Sequence, residues 1–245
     1  MKNLKFEIEY NGADFFGWQK QEGKRTVQGE LERCFFELCK ENVTFEGSGR
    51  TDRGVHALGQ VASVKCENAI PLKNIKFALN NLLPDDIRIK KVEKVDDDFH
   101  ARFSAKKKTY LYVVQVGGQR SAVLSKTIGF YPYEVDFEKM KNAAVQLVGK
   151  HNFKAFSSAD TSVQNFEREV YMTKLSKRGR TIKFEITGNG FLYNMVRIIV
   201  GTLLDIGRGK LDEDCIKKAF KNLDRGTLGK TIEPNGLYLK SVKYQ

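Results

Sequence analysis

The chain has 245 residues, 41% of them hydrophobic, and its 42 Lys and Arg outnumber 30 Asp and Glu, giving a net charge of +12 and a pI near 9.4. That length suits one large domain or two ordinary ones, and a basic excess spread over both halves fits a polyanion footprint. The longest apolar stretch, Phe191 to Ile206, is broken by Asn194, Arg197 and Asp205, so no membrane span is expected.

Leu4, Phe6, Ile8 and Tyr10 alternate with charged residues and predict a first strand. It begins directly after Met1-Lys2-Asn3, which leaves no room for a leader, so a cytoplasmic location is expected. Val27, Leu31, Cys34, Phe35 and Leu38 then recur at helical spacing behind Thr26, a ready N-cap. A strand is predicted over 60–66, a helix opened by Pro71 with Leu72, Ile75, Leu79 and Leu82 inward, and a strand over 87–95. The second half gives a strand over 108–116 and a helix from Asp136 closed by Gly149. Strands near 166–175 and 181–188 follow, joined by the basic turn Ser176 to Arg180. An apolar helix over 191–206, a short helix from Asp212 to Asn222 and a strand over 237–243 complete the chain. This order predicts an α+β fold of two similar ferredoxin-like or RRM-like βαββαβ halves, 1–105 and 106–245.

Cys34, Cys39, Cys66 and Cys215 show no metal-ligand spacing, and His56, His100 and His151 lie far apart, so no metal is expected. The most informative stretch is Gly49-Arg50-Thr51-Asp52-Arg53-Gly54-Val55-His56-Ala57. It sets a carboxylate in a glycine-flanked turn between guanidinium groups, ahead of an apolar strand. Taken alone, an Asp in such a turn is a turn former. In a basic chain it also suits acid/base or nucleophilic work on a nucleic acid.

Arg197 is a lone cation in an apolar helical stretch and calls for a carboxylate, Asp205 or one from a nearby loop. Tyr110 and Tyr112 alternate on a strand, where aromatic packing is the ordinary role. Arg50 suits either a phosphate or a local carboxylate. Leu237 reads as core.

Gly-Arg-Thr-Asp-x-Gly-Val-His-Ala resembles the active-site motif of the tRNA pseudouridine synthase A family. Tyr10 to Gln19, Thr26 to Glu32, Leu82 to Ile87, Phe99 to Ala105, Lys108 to Tyr112, Gly190 to Arg197 and Pro234 to Leu239 resemble its other motifs in the same order. The resemblance implies a pseudouridine synthase fold, with the two halves forming a continuous mixed sheet around a central cleft. It also implies a cofactor-free isomerase that converts uridine to pseudouridine at positions 38, 39 and 40 of the tRNA anticodon stem-loop. Homodimers are implied as well. Asp52 is then the essential carboxylate, acting as nucleophile at C1′ or as general base at C2′. Tyr110 would stack on the uracil and could assist proton transfer, Arg197 would pair with Asp52, Arg50 would hold the flipped nucleotide, and Leu237 would line the pocket.

Three positions depart from the family pattern. Arg53 stands at a commonly small position, Lys107 where arginine is frequent, and Glu233 places an acid near the expected pocket. Two rivals predict other outcomes. A non-catalytic pair of RRM-like units would stack bases on exposed Tyr110 and Tyr112, and a glycosidase would need a second carboxylate beside Asp52.

Overall fold

The computed structural model describes residues 1–68, 70–158 and 164–245. They form two compact units, Met1–Lys106 with Tyr238–Gln245, and Lys107–Leu237. The last residues, Tyr238–Gln245, group with the first unit.

In the first unit, β1 (Lys2–Tyr10) leads to α1 (Val27–Cys39), the two-residue β2 (Glu46–Gly47) and β3 (His56–Cys66). Next come α2 (Leu72–Leu82) and β4 (Ile87–Val95). β1 lies between β4 and β3 with antiparallel neighbours, and β2 pairs with β3 antiparallel. The resulting order β4-β1-β3-β2 has helices between β1 and β2 and between β3 and β4, which is the expected βαββαβ plan. Leu4, Phe6, Ile8 and Tyr10 are at most 3% exposed, and the ring centroids of Phe6 and Phe35 lie 5.1 and 5.9 Å from that of Phe45. Thr26 caps α1, its hydroxyl accepting from Gly29 N at 3.3 Å, and Pro71 stands at the N-cap of α2. The final strand, β10 (Leu237–Lys243), pairs in parallel with β3 through Tyr238↔His56 and Leu239↔Ala57.

The second unit starts with β5 (Lys107–Val116), β6 (Gly129–Tyr131) and α3 (Phe137–Val145). It continues through β7 (Gly149–Asn152), β8 (Glu167–Arg178), β9 (Thr181–Gly188), α4 (Met195–Gly207) and α5 (Cys215–Asn222). Its strands run β5-β9-β8-β7 with antiparallel neighbours, and β6 joins β5 in parallel. Four local expectations need correction. Gly149 (φ 115°) does not end α3, which closes at Gln146 in right-handed geometry; it opens β7 instead. The hairpin turn is only Gly179-Arg180, because Ser176 to Arg178 stay in ladder register with Thr181 to Lys183. α4 begins four residues later than its apolar run, because Asn194 adopts a left-handed conformation (φ 60°) that no helix can include. α5 begins at Cys215, after a turn in which Cys215 N donates to Asp212 O.

Candidate active site

Asp52 opens a tight turn in which Val55 N donates to Asp52 O at 3.1 Å, and Gly54 supplies the positive φ (79°). The opening motif, Tyr10 to Gln19, holds this turn at several points. Tyr10, at the end of β1, shares a 2.7 Å hydrogen bond between its hydroxyl and that of buried Thr51. Burial pushes the Tyr10 phenol far above its ordinary range, so it serves as a neutral hydroxyl. Trp18 N donates to Thr51 O at 3.0 Å, and Gly17 (φ 93°) lies so near that a Cβ would stand 2.6 Å from the same carbonyl. Gly12 N donates to His56 Nδ1 at 3.0 Å, and a Cβ on Gly12 would collide with Val55 O.

His56 is 1% exposed and stacks on Tyr238 at 4.7 Å. With Nδ1 accepting, the neutral ring carries its proton on Nε2. This histidine clamps the opening loop onto the turn. The opening loop is also tied to the 82–87 motif: Arg25 binds Asp86 through two hydrogen bonds of 2.7 and 2.9 Å, and Asn11 N donates to Asp86 O at 2.9 Å. Behind the turn, Ser48 donates to Gln60 Oε1 at 2.7 Å and Gln60 Nε2 to Gly49 O at 2.9 Å, which fixes the chain ahead of Arg50. Asp52 is half-buried, whereas Arg50 and Arg53 are exposed.

The remaining sequence-predicted residues, Tyr110, Arg197 and Leu237, lie in the second unit. Tyr110 is half-buried on β5, its ring edge-to-face with Phe191 at 5.0 Å and 80°, so the Gly190 motif buttresses it. Tyr112 differs from the exposed aromatic of the RRM-like alternative. It is fully buried and its hydroxyl donates to Glu233 O at 2.7 Å. Arg197 sits in the first turn of α4, its Nε donating to Ile232 O at 2.8 Å and Nη1 to Asn194 Oδ1 at 2.7 Å. Both acceptors are neutral. Asp205, its simplest sequence partner, is instead bound by Lys210 Nζ at 2.9 Å and Tyr131 hydroxyl at 2.7 Å. The segment that offers Ile232 O lies against α4 through two glycines. A Cβ on Gly201 would overlap Lys230 O, and one on Gly229 would stand 2.8 Å from Gly201 O. Leu237 is 6% exposed and follows Gly236, where a Cβ would meet Val113 O. Glu233 is exposed and paired with Arg120 at 3.0 Å.

Sequence reasoning overlooked Gly12, Gly17, Gly201 and Gly229, the residues that permit these close approaches. A lone glycine carries no sequence signal of the backbone it will meet. Among the described residues, no cluster of three His, Cys, Asp or Glu is placed to hold a metal ion, and no helix is long and apolar enough to cross a membrane.

The chain matches the family described as tRNA pseudouridine synthase over residues 8–104 and 143–245. It is 45% identical over 244 residues to the tRNA pseudouridine synthase A of Caldicellulosiruptor bescii, with 100% of each chain covered. The proteins of the same name from Acetivibrio thermocellus (44% identical, 100% of each chain) and a Geobacillus species (46%, covering 99% of this chain and 98% of the relative) are similarly related. The residues that clamp the Asp52 turn and those that hold Arg197 fall inside the matched segments, and the chain belongs to the tRNA pseudouridine synthase family of isomerases.

Proposed function

We propose that this enzyme isomerises uridine at positions 38, 39 and 40 of the tRNA anticodon stem-loop, with Asp52 as the essential carboxylate. The observation that carries the reading is the clamped Asp52 turn, in which Tyr10, Gly12, Gly17 and Trp18 fix the backbone on both sides of one half-buried carboxylate. Such fixing suits a group that must meet one atom of a flipped nucleotide. Uridine and pseudouridine are isomers, so the reaction consumes no cofactor. The N1–C1′ bond breaks, the uracil turns, C5 bonds to C1′, the C5 proton leaves to water, and N1 takes up a proton. Asp52 acts either by bonding to C1′ or by taking the C2′ proton, and both routes require it ionised.

Tyr110 is proposed to stack on the uracil, its ring held by Phe191. Arg197 is the proposed ion-pair partner of Asp52, a role suited to a guanidinium whose two acceptors above are uncharged. Arg50 and Leu237 are assigned to the flipped nucleotide and the pocket wall on the family resemblance. The two-half division with a cleft, homodimerisation and a cytoplasmic location are proposed on the same ground.

The test is tritium release from a tRNA transcript carrying 5-tritiated uridine, with wild type beside Asp52→Asn. Wild type releases label and the variant releases none, while both bind tRNA. Changing positions 38 to 40 to cytidine abolishes release. Release from that transcript would refute the site assignment, and appearance of free uracil would point to a glycosidase.

A further inference from the structure

Arg53, the residue after Asp52, has no role in the reading above. Its guanidinium carbon lies 4.4 Å from the ring centroid of Phe16, and Lys24 Nζ lies 4.8 Å from the same centroid. Both cations are exposed, and among the described residues neither has a carboxylate within ion-pair distance. Phe16 is half-buried and anchored: its N donates to Arg25 O at 2.9 Å, and the adjoining Gly17 lies against Thr51 O. The Phe16 backbone is thereby held beside the turn that carries Asp52, and both cations lie over its ring.

A guanidinium lying over a ring uses its planar face there and keeps its in-plane N–H donors for another acceptor. The Lys24 ammonium over the same ring adds a second positive charge there, which excludes cations and favours an anion. We propose that Arg53 and Lys24, seated on Phe16, form a phosphate clasp for the RNA backbone beside the target nucleotide. The inference rests on the isomerase reading for its substrate, and assigns Arg53 to positioning rather than chemistry. The ligand is a phosphodiester, which Arg meets bidentately and Lys as a point charge. Because Phe16 immobilises the guanidinium beforehand, less side-chain freedom is lost on binding.

The experiment measures tRNA Kd against salt, together with KM and kcat for tritium release. The variants are Arg53→Ala, Arg53→Lys, Lys24→Ala and Phe16→Leu, with Lys217→Ala as a charge control on α5. Arg53→Ala weakens tRNA binding and raises KM by about tenfold. It lowers the slope of log K against log salt by about 0.7 to 0.9, one phosphate contact. Turnover at saturating tRNA stays within about twofold of wild type. Lys24→Ala moves the same quantities the same way, Phe16→Leu weakens binding and raises KM while keeping the salt slope, and Arg53→Lys recovers the salt slope but only part of the affinity.

An unchanged Kd and slope in Arg53→Ala would overturn the clasp. So would a fall in kcat with binding intact, which would place Arg53 in the chemistry, or an equal loss in Lys217→Ala, which would reduce the effect to net charge. If wild type bound tRNA with the Arg53-dependent slope yet released no tritium, the clasp would stand and the isomerase reading would fall.

Discussion

The tight glycine-flanked turn at Asp52 was legible in the sequence, but the residues that make it rigid were not, because each touches it across a long stretch of sequence. Gly12 meets Val55 and His56, and Gly17 meets Thr51. A methyl group on Gly12 must displace Val55 O, and such overpacking costs about 1–3 kcal/mol. Gly12→Ala is therefore expected to lower the urea midpoint. It should also reduce tritium release by about 100-fold, the usual result of misplacing a reacting group by ~1 Å. A variant with lowered stability and wild-type kcat would show that the clamp serves folding only. Arg197 teaches the complementary lesson. Its need for partners was evident in an apolar stretch, but Asn194 and Ile232 are its acceptors in the second unit and Asp205 is not.

Helix starts were read correctly where a single side chain sets them, as with Thr26, Pro71 and Asp136. The onset of α4 was not, because a left-handed residue such as Asn194 (φ 60°) leaves no mark when it is not Gly. Lys40 ends α1 at φ 55° and Leu223 ends α5 at φ 54°. Lys40 is exposed, so its replacement relieves backbone strain without opening the core. Lys40→Gly should stabilise the protein by about 0.5–1 kcal/mol, since glycine takes the left-handed C-cap without penalty. That corresponds to a Tm increase of about 1–4 °C for a chain of this size. A fall in Tm would mean that the lysine side chain contributes more than its backbone strain costs.

At the scale of the whole molecule, the buried thiols make a pH prediction. Burial pushes the Cys215 thiol up to about 11, and the buried Cys34 and Cys66 thiols also shift upward. An unfolded cysteine titrates near pH 8.5, so the folded state prefers the neutral thiol. Its contribution to stability is complete below about pH 8.5 and is lost as the pH rises toward the folded value near 11. The stability gap between wild type and Cys215→Ala in urea should be full at about pH 8 and smaller at about pH 10.5. An equal gap at both would contradict the burial shift.

The sequence by itself determined the alternation of strands and helices, their N-terminal caps, the basic character of the chain and the family whose motifs it carries. These rest on short-range regularities: period-two and helical spacing, capping side chains, and contiguous runs such as Gly49 to Ala57. Only the tertiary structure decided that Tyr238 to Gln245 belong with the first unit, that Gly149 starts a strand, and that the Tyr10 to Gln19 motif closes on Thr51 and His56 while Asn11 is tied to Asp86. The physical reason is that ladder pairing and close backbone approach join residues distant along the chain. Which backbone a glycine or strand edge will meet is settled by the packing of the whole unit.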